Sequence, residues 1–65
     1  MKMIQQVGTE WCVSACGSSG KQHVDKYQYF HKSRYEQARE LYLEWLVRYS
    51  YAEVELNEVP KFSYK

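Results

Sequence analysis

Residues 9–30 read TEWCVSACGSSGKQHVDKYQYF, two apolar-rich runs joined by a loop of glycine and serine. Successive side chains of an extended chain point to opposite faces, so Trp11, Val13 and Ala15 share one side of the first run. Glycine and serine between two such runs predict a turn, and we expect a loop slightly longer than the tightest hairpin types. This stretch therefore predicts an antiparallel hairpin whose second strand covers residues 23–30.

The second strand of this hairpin has two candidate buried faces. Tyr27 and Tyr29 share one side of the strand, whereas Val24 and Phe30 share the other. A β-bulge would reconcile the two sets by shifting the alternation by one residue. The sequence leaves the choice of buried face open.

A helix is predicted to follow the hairpin. Ser33 stands three residues before Glu36, the spacing of a capping box in which each side chain satisfies a free amide of the first helical turn. From there to about Tyr49 the chain contains no glycine or proline, and its apolar residues recur with the helical period. The stripe that we expect to cover the sheet consists of Tyr35, Ala38, Leu41, Tyr42, Trp45, Leu46 and Tyr49.

Two further strands complete the predicted fold. Residues 51–59 alternate between apolar and polar types, and we expect Pro60 to end this strand because proline cannot donate to a sheet ladder. Residues 3–7 are predicted to form a further short strand. The 65 residues thus predict one small α+β domain of ββαβ order, an antiparallel sheet with one helix packed on one face.

The composition predicts a cytoplasmic globular protein. Apolar residues make up 45% of the chain and aromatic residues 17%, more than disordered chains carry. No apolar run approaches the roughly 20 residues of a membrane span, and the start of the chain lacks the apolar core of a signal peptide. Two cysteines without a secretory signal are typical of a reducing compartment.

The reactive side chains predict neither a metal site nor a catalytic centre. Cys12 and Cys16 are four residues apart, or about 13 Å on an extended strand, too far to share one zinc ion with His23 and His31. The same separation exceeds the roughly 7 Å reach of a disulfide. Cys16, His23 and Asp25 contain a thiol, a base and an acid, but no known motif joins them. We therefore expect no cofactor, no metal and no enzymatic activity.

Basic and aromatic residues interleave around the second strand, which favours nucleic-acid binding as an alternative function. Cations that follow phosphates and rings that stack on bases are the parts of a single-strand binding surface. Against this, the first strand carries Glu10 and no cation. The alternative site would consist of Lys21, Lys26, Tyr27, Tyr29, Lys32 and Arg34.

An apolar pair on the polar side of the helix favours protein binding. Leu43 and Val47 are four residues apart and lie outside the predicted core stripe. Either the apolar stripe is wide, or the pair contacts a partner protein or a second copy in a homodimer. We predict a partner-binding set of Leu43 and Val47 with the acidic residues Glu40, Glu53 and Glu55.

From Glu44 onward the chain resembles the small bacteriophage inhibitors of bacterial RNA polymerase. The features shared with that family are Trp11 on the first strand, Glu44-Trp45 near the end of the helix, Glu53-Val54 at the start of the last strand, and Val59-Pro60. The resemblance implies a phage or mobile-element protein that binds and inhibits a host protein, such as RNA polymerase or a defence enzyme. In that family arginines of the last strand engage an acidic polymerase surface, whereas residues 55–58 here are acidic or neutral, which implies a different partner surface.

Overall fold

The computed structural model describes residues 3–64. Its elements in chain order are β1 (Ile4–Ser19), β2 (Gln22–His31), a 3₁₀ turn (Lys32–Arg34), α1 (Tyr35–Arg48) and β3 (Glu53–Tyr64). β1 pairs antiparallel with both other strands, so the sheet is three-stranded with the order β2-β1-β3. The predicted α+β class, with an antiparallel sheet and one helix, is confirmed.

The core lies between β1 and α1. Val13 and Ala15 of β1 have no exposed surface, and Trp11 is half-buried on the same side of the strand. Ala38 and Trp45 of α1 are buried against them. The predicted inner side of the first strand is therefore confirmed, and this side of the sheet is called the helix face.

The pairing of β1 with β2 resolves which side of β2 is buried. Val24 is 3% exposed and Phe30 is half-buried, and both lie on the helix face. Tyr27 and Tyr29 point to the opposite side and are exposed. The strand alternates regularly from end to end, so no bulge is needed to place these residues.

The hairpin loop is shorter than predicted. Ser19 pairs directly with Gln22, which leaves only Gly20 and Lys21 between the two strands. Gly20 has a φ of 59° and Lys21 has a negative φ, the pattern of a type II′ turn, whose twist matches that of the strands. The prediction of a longer loop was wrong because Gly17, Ser18 and Ser19 belong to β1.

A histidine, not the predicted serine, caps the start of the helical segment. The Ser33 backbone amide donates to His31 Nδ1 at 3.2 Å, and the Ser33 hydroxyl lies 2.8 Å from the same nitrogen. Ser33 is already inside the 3₁₀ turn, and no side chain within residues 3–64 caps α1 itself. The predicted capping box between Ser33 and Glu36 is therefore wrong, because the 3₁₀ turn begins at Lys32, one residue before Ser33.

The predicted core stripe of the helix is confirmed except at Leu46, since Tyr35 also packs on Trp11 of the sheet. Leu41, Tyr42 and Tyr49 pack against the buried core, as expected. Tyr35 and Leu46 are 43% and 40% exposed, because they lie at the edge of the stripe.

No helix within residues 3–64 has the length and apolar character of a membrane span.

Two contacts fix the position of α1 along the sheet. The ring of Tyr35, at the start of α1, lies 4.8 Å from the Trp11 ring, and Trp11 Nε1 donates to the Lys32 carbonyl at 3.0 Å. Just beyond the other end of α1, Ala52 lies so close to Gly17 that a Cβ on Gly17 would be 2.8 Å from the Ala52 Cα. The helix therefore covers β1 only between Trp11 and Gly17.

β3 is longer than predicted and includes Pro60. It continues to Tyr64, and Pro60 pairs with Thr9 of β1. β3 is an edge strand, and proline is accepted there because the outward backbone groups meet no neighbouring strand. The prediction that Pro60 ends the strand was therefore wrong.

The sheet extends beyond the helix as a two-stranded ribbon of residues 4–9 and 60–64. β2 ends opposite Glu10, so the ribbon has no third strand, and a bulge lies between Gln6 and Gly8. The predicted short strand of residues 3–7 is thus the first part of β1, which starts at Ile4. The ribbon makes the molecule an elongated plate of 46 × 28 × 10 Å with a Cα radius of gyration of 14.3 Å. A compact chain of this length would have a radius of about 11 Å.

Candidate functional site

An exposed apolar ridge runs along the outer side of α1. Val47 is 82% exposed, Leu43 45% and Leu46 40%. These residues are three and four positions apart and are therefore neighbours on the helix surface, and we call them the helix ridge. The predicted position of Leu43 and Val47 outside the core is confirmed. The same surface includes Leu46, which the sequence had placed in the core stripe.

A row of acidic residues borders the helix ridge. Glu36, Glu40 and Glu44 follow one another at intervals of four residues and are all exposed. Glu40 and Glu44 also line a shallow depression of about 370 Å³ between α1 and β2. The helix ridge therefore matches a partner surface that has an apolar groove and a basic rim.

The side of the sheet that faces away from α1 carries a second set of candidate residues, and we call it the open face. Four cross-strand rows join β2, β1 and β3 on this side: Asp25–Cys16–Glu53, Tyr27–Ser14–Glu55, Tyr29–Cys12–Asn57 and His31–Glu10–Val59. Glu53 and Glu55 belong to these rows, whereas Leu43, Val47 and Glu40 lie on α1. The structure therefore divides the predicted partner-binding set between two opposite sides of the molecule.

The open face forms a shallow groove that follows β1. Small side chains make its floor, with tyrosines on the β2 side and carboxylates on the β3 side. Neighbouring strands lie about 4.8 Å apart, so the two sides are separated by roughly 10 Å. This open-face groove consists of Cys12, Ser14 and Cys16 on the floor and Tyr27, Tyr29, Glu53 and Glu55 on the sides.

The floor of the groove is least accessible at Cys12, which is 8% exposed. Burial raises the pKa of the Cys12 thiol, a hydrogen bond from the Tyr29 hydroxyl opposes part of this rise, and the Glu10 carboxylate adds to it. The pKa of Tyr29 is raised as well, first because a thiolate at Cys12 would repel the phenolate. Both groups are therefore neutral at physiological pH, and the negative charge of the groove comes from its carboxylates.

The residues of the alternative nucleic-acid site do not form one surface. Lys26 is on the helix face, where its Nζ donates to the Tyr49 hydroxyl at 2.9 Å. Lys21 lies in the hairpin turn, whereas Lys32 follows the other end of β2, about 30 Å away along the strand. Arg34 lies in the 3₁₀ turn. Tyr27 and Tyr29 are exposed on the open face, where the nearby charged residues are carboxylates rather than cations.

The thiols and histidines show no metal-binding arrangement. Within residues 3–64 no three side chains of His, Cys, Asp or Glu come close enough to hold one ion, and Cys12 and Cys16 are both free. Asp25 is directly opposite Cys16 and His23 is opposite Ser18, all on the open face. No hydrogen bond joins Cys16 to His23 or to Asp25, so the structure provides no activated thiol at this position.

These surfaces are the basis for comparing the chain with known proteins. The features that resemble the phage polymerase inhibitors lie apart in the fold: Trp11 and Trp45 contribute to the core, whereas Glu44 and Glu53 are exposed on opposite sides. The resemblance remains a prediction. No family model matches the chain, and neither a curated protein nor a solved structure matches it.

Proposed function

We propose that this chain is a non-enzymatic protein-interaction domain that binds a partner protein through the helix ridge. The observation that carries the proposal is the 82% exposure of Val47. Val47 comes nine residues after the buried Ala38, which places it half a turn away, on the side farthest from the core. An apolar side chain at that position stays in water in the isolated chain, and a partner surface would bury it.

The helix ridge offers enough apolar surface for a modest interface. Burying a Leu or Val side chain fully is worth about 1.5–3 kcal/mol, and each residue of the helix ridge would contribute a part of that according to its exposure. The acidic row of Glu36, Glu40 and Glu44 adds a charge requirement, since carboxylates beside an apolar contact are matched by lysine or arginine on the partner. A phosphate backbone would be repelled by the same row.

The finer proposal is that the partner is a host protein and that binding inhibits or modulates it. Its support is the resemblance of the chain to phage inhibitors of RNA polymerase, together with the exposed apolar surface of the helix ridge. A second copy of the chain is the competing occupant of the helix ridge.

A capture experiment tests the proposal. Tagged protein is incubated with bacterial lysate, and the retained proteins are identified by mass spectrometry for the wild type and for Leu43→Glu with Val47→Lys. We expect a protein that the wild type retains and the double variant loses. The matched control is Ser19→Glu with Gln22→Lys at the hairpin tip, which introduces the same charges far from α1 and should retain the partner.

Two measurements make the result interpretable. Circular dichroism should show that the double variant keeps the fold, and an unfolded variant would instead place these residues in the core. The mass in solution, measured by sedimentation, distinguishes a partner protein from a second copy of the chain as the occupant of the helix ridge. A dimer that the double variant splits into monomers would mean that the helix ridge binds a second copy. Retention of identical proteins by both forms would exclude the helix ridge as the contact.

A further inference from the structure

The open-face groove has the dimensions of an extended peptide. Its rows extend from the one that contains Asp25 to the one that contains His31, six residues along β2 or about 20 Å. No helix covers this side within residues 3–64, because the core of the domain lies between the other side and α1. The small floor residues of β1 keep the centre of the sheet low between taller side chains. Tyr29 covers Cys12 on this floor, so an extended segment of about six residues would lie lengthwise over Ser14, Cys16 and the Tyr29 ring.

The charge of the open face selects a cationic occupant. Within residues 3–64, four carboxylates lie on it, those of Glu10, Asp25, Glu53 and Glu55, against the ammonium group of Lys61. Carboxylates occur on all three strands and in three of the four rows, so a bound chain would meet negative charge near both ends of the groove. This distribution excludes a nucleic-acid backbone from the groove and favours a peptide rich in lysine or arginine.

The tyrosines distinguish arginine from lysine. Tyr27 and Tyr29 are 58% and 53% exposed and stand side by side on the same wall of the groove. A guanidinium group stacks on an aromatic ring and can also form a paired hydrogen bond with a carboxylate, whereas an ammonium group is a compact point charge. On the helix face the chain places two of its own cations beside a tyrosine ring. Lys26 Nζ lies 5.3 Å from the centre of the Tyr49 ring, and the Arg48 guanidinium lies 5.9 Å from the same centre.

We infer that the open-face groove binds an arginine-rich segment of a partner protein in extended conformation. Guanidinium groups stack on Tyr27 and Tyr29, and neighbouring arginines pair with Glu53 and Glu55 across the floor. This surface is on the side opposite the helix ridge, so the inference does not depend on what binds α1.

A titration with defined peptides tests the inference. Isotope-labelled full-length protein is titrated with a nine-residue arginine peptide, a nine-residue lysine peptide and a DNA duplex, and backbone amide shifts are followed by NMR. We expect the arginine peptide to bind most tightly and to shift amides of Tyr27, Tyr29, Glu53 and Glu55. Binding should weaken as salt is raised, because the contacts are exposed charges.

Charge-matched variants locate the contact. Glu53→Gln with Glu55→Gln should weaken binding of the arginine peptide by about three- to tenfold, as expected for two exposed ion pairs. The control is Glu58→Gln on the same strand, whose carboxylate lies on the helix face opposite Trp11, and this change should weaken binding less than Glu55→Gln alone. Tyr27→Leu with Tyr29→Leu should reduce the preference for arginine over lysine.

Three results would overturn the inference. The first is an equal loss of affinity in Glu55→Gln and Glu58→Gln, which would show attraction to overall charge only. The second is a shift pattern centred on α1. The third is tighter binding of the DNA duplex than of the arginine peptide, which would instead support the nucleic-acid function. If the tyrosine variant fails to fold, the glutamine variants still decide the outcome, since Glu53, Glu55 and Glu58 are all exposed.

Discussion

Of the three glycines, Gly17 is the one that leaves no room for a side chain. A Cβ there would lie 2.8 Å from the Ala52 Cα, closer than such atoms approach, and a tight 3.1 Å from the Ala52 Cβ. The neighbouring atoms are backbone and a methyl group, so neither can rotate away. The close contact locks the segment after α1 onto the end of the sheet.

We therefore expect Gly17→Ala to destabilise the domain by about 1–3 kcal/mol, the usual cost of forced overpacking. Urea unfolding followed by circular dichroism measures this change. Ser18→Ala is the matched control, because Ser18 is the next residue of β1 and is exposed. A Gly17→Ala variant as stable as the control would show that the segment around Ala52 can move aside.

The two cysteines should differ in reactivity although they occupy the same side of β1. Cys12 is buried under Tyr29 and its pKa is raised, whereas Cys16 is exposed. The thiolate is the reactive form, so iodoacetamide at pH 8 should label Cys16 at least about tenfold faster than Cys12. Mass spectrometry of timed digests measures both rates. Equal rates would mean that the Tyr29 side of the groove opens readily.

The raised pKa of Cys12 also predicts the sign of a pH effect. The unfolded chain loses the thiol proton at a lower pH than the folded chain, so deprotonation favours unfolding. The stabilising contribution is complete below the ordinary thiol pKa of about 8.5 and is lost as the pH rises through the folded value. Stability measured between pH 7 and pH 10 should therefore fall more steeply for the wild type than for Cys12→Ala.

At the level of single elements, the start of the helical segment depends on His31. Its Nδ1 accepts from the Ser33 amide, which otherwise has no partner at the beginning of the 3₁₀ turn. Loss of a capping side chain costs about 0.5–2 kcal/mol, and we expect that cost for His31→Ala.

His31→Asn, which retains an acceptor near the same amide, should recover part of the loss. His23→Ala should have little effect because His23 is exposed near the hairpin tip. Thermal unfolding of the three variants provides the comparison. A destabilised His23→Ala variant, or an unaffected His31→Ala variant, would contradict this assignment of the cap.

The elements that could be predicted are those set by local periodicity. α1 and the inner side of β1 follow from the spacing of apolar residues, and the exposure of Leu43 and Val47 follows from the same helical geometry. Element ends were predicted less well, because Gly8 and Pro60 look like strand breakers when the pairing of β1 with β3 is unknown. The cap by His31 was not predicted, because Ser33 stands three residues before Glu36 and this spacing suggested Ser33 as the cap.

The open-face groove could not be predicted because it depends on register. Tyr27 and Glu55 are far apart in sequence and share a row only because both pair with Ser14. The sequence therefore grouped Tyr27 with nearby lysines, and Glu55 with residues of the helix. Residues brought together by long-range pairing of three strands leave no local pattern from which to identify them.

At the level of the whole molecule, the accessible surface is larger than the mass requires. A compact protein of 7.8 kDa would expose about 4,400 Å², and this chain exposes 5178 Å². The difference of roughly 800 Å² is close to the area that one partner contributes to a standard protein interface. The exposed apolar residues of the ribbon, Ile4, Val7 and Phe62, account for part of this surface, and the helix ridge accounts for another part.

The elongated shape of the domain has a thermodynamic consequence for the isolated chain. The heat capacity of unfolding grows with the apolar surface that becomes hydrated, and a chain already exposed in its native state hydrates less on melting. We expect a value below the roughly 0.8–1.0 kcal/mol/K typical of this length, and calorimetry would measure it. A low heat capacity flattens the stability curve, so the isolated domain should lose stability gradually on warming and melt over a wide range of temperature.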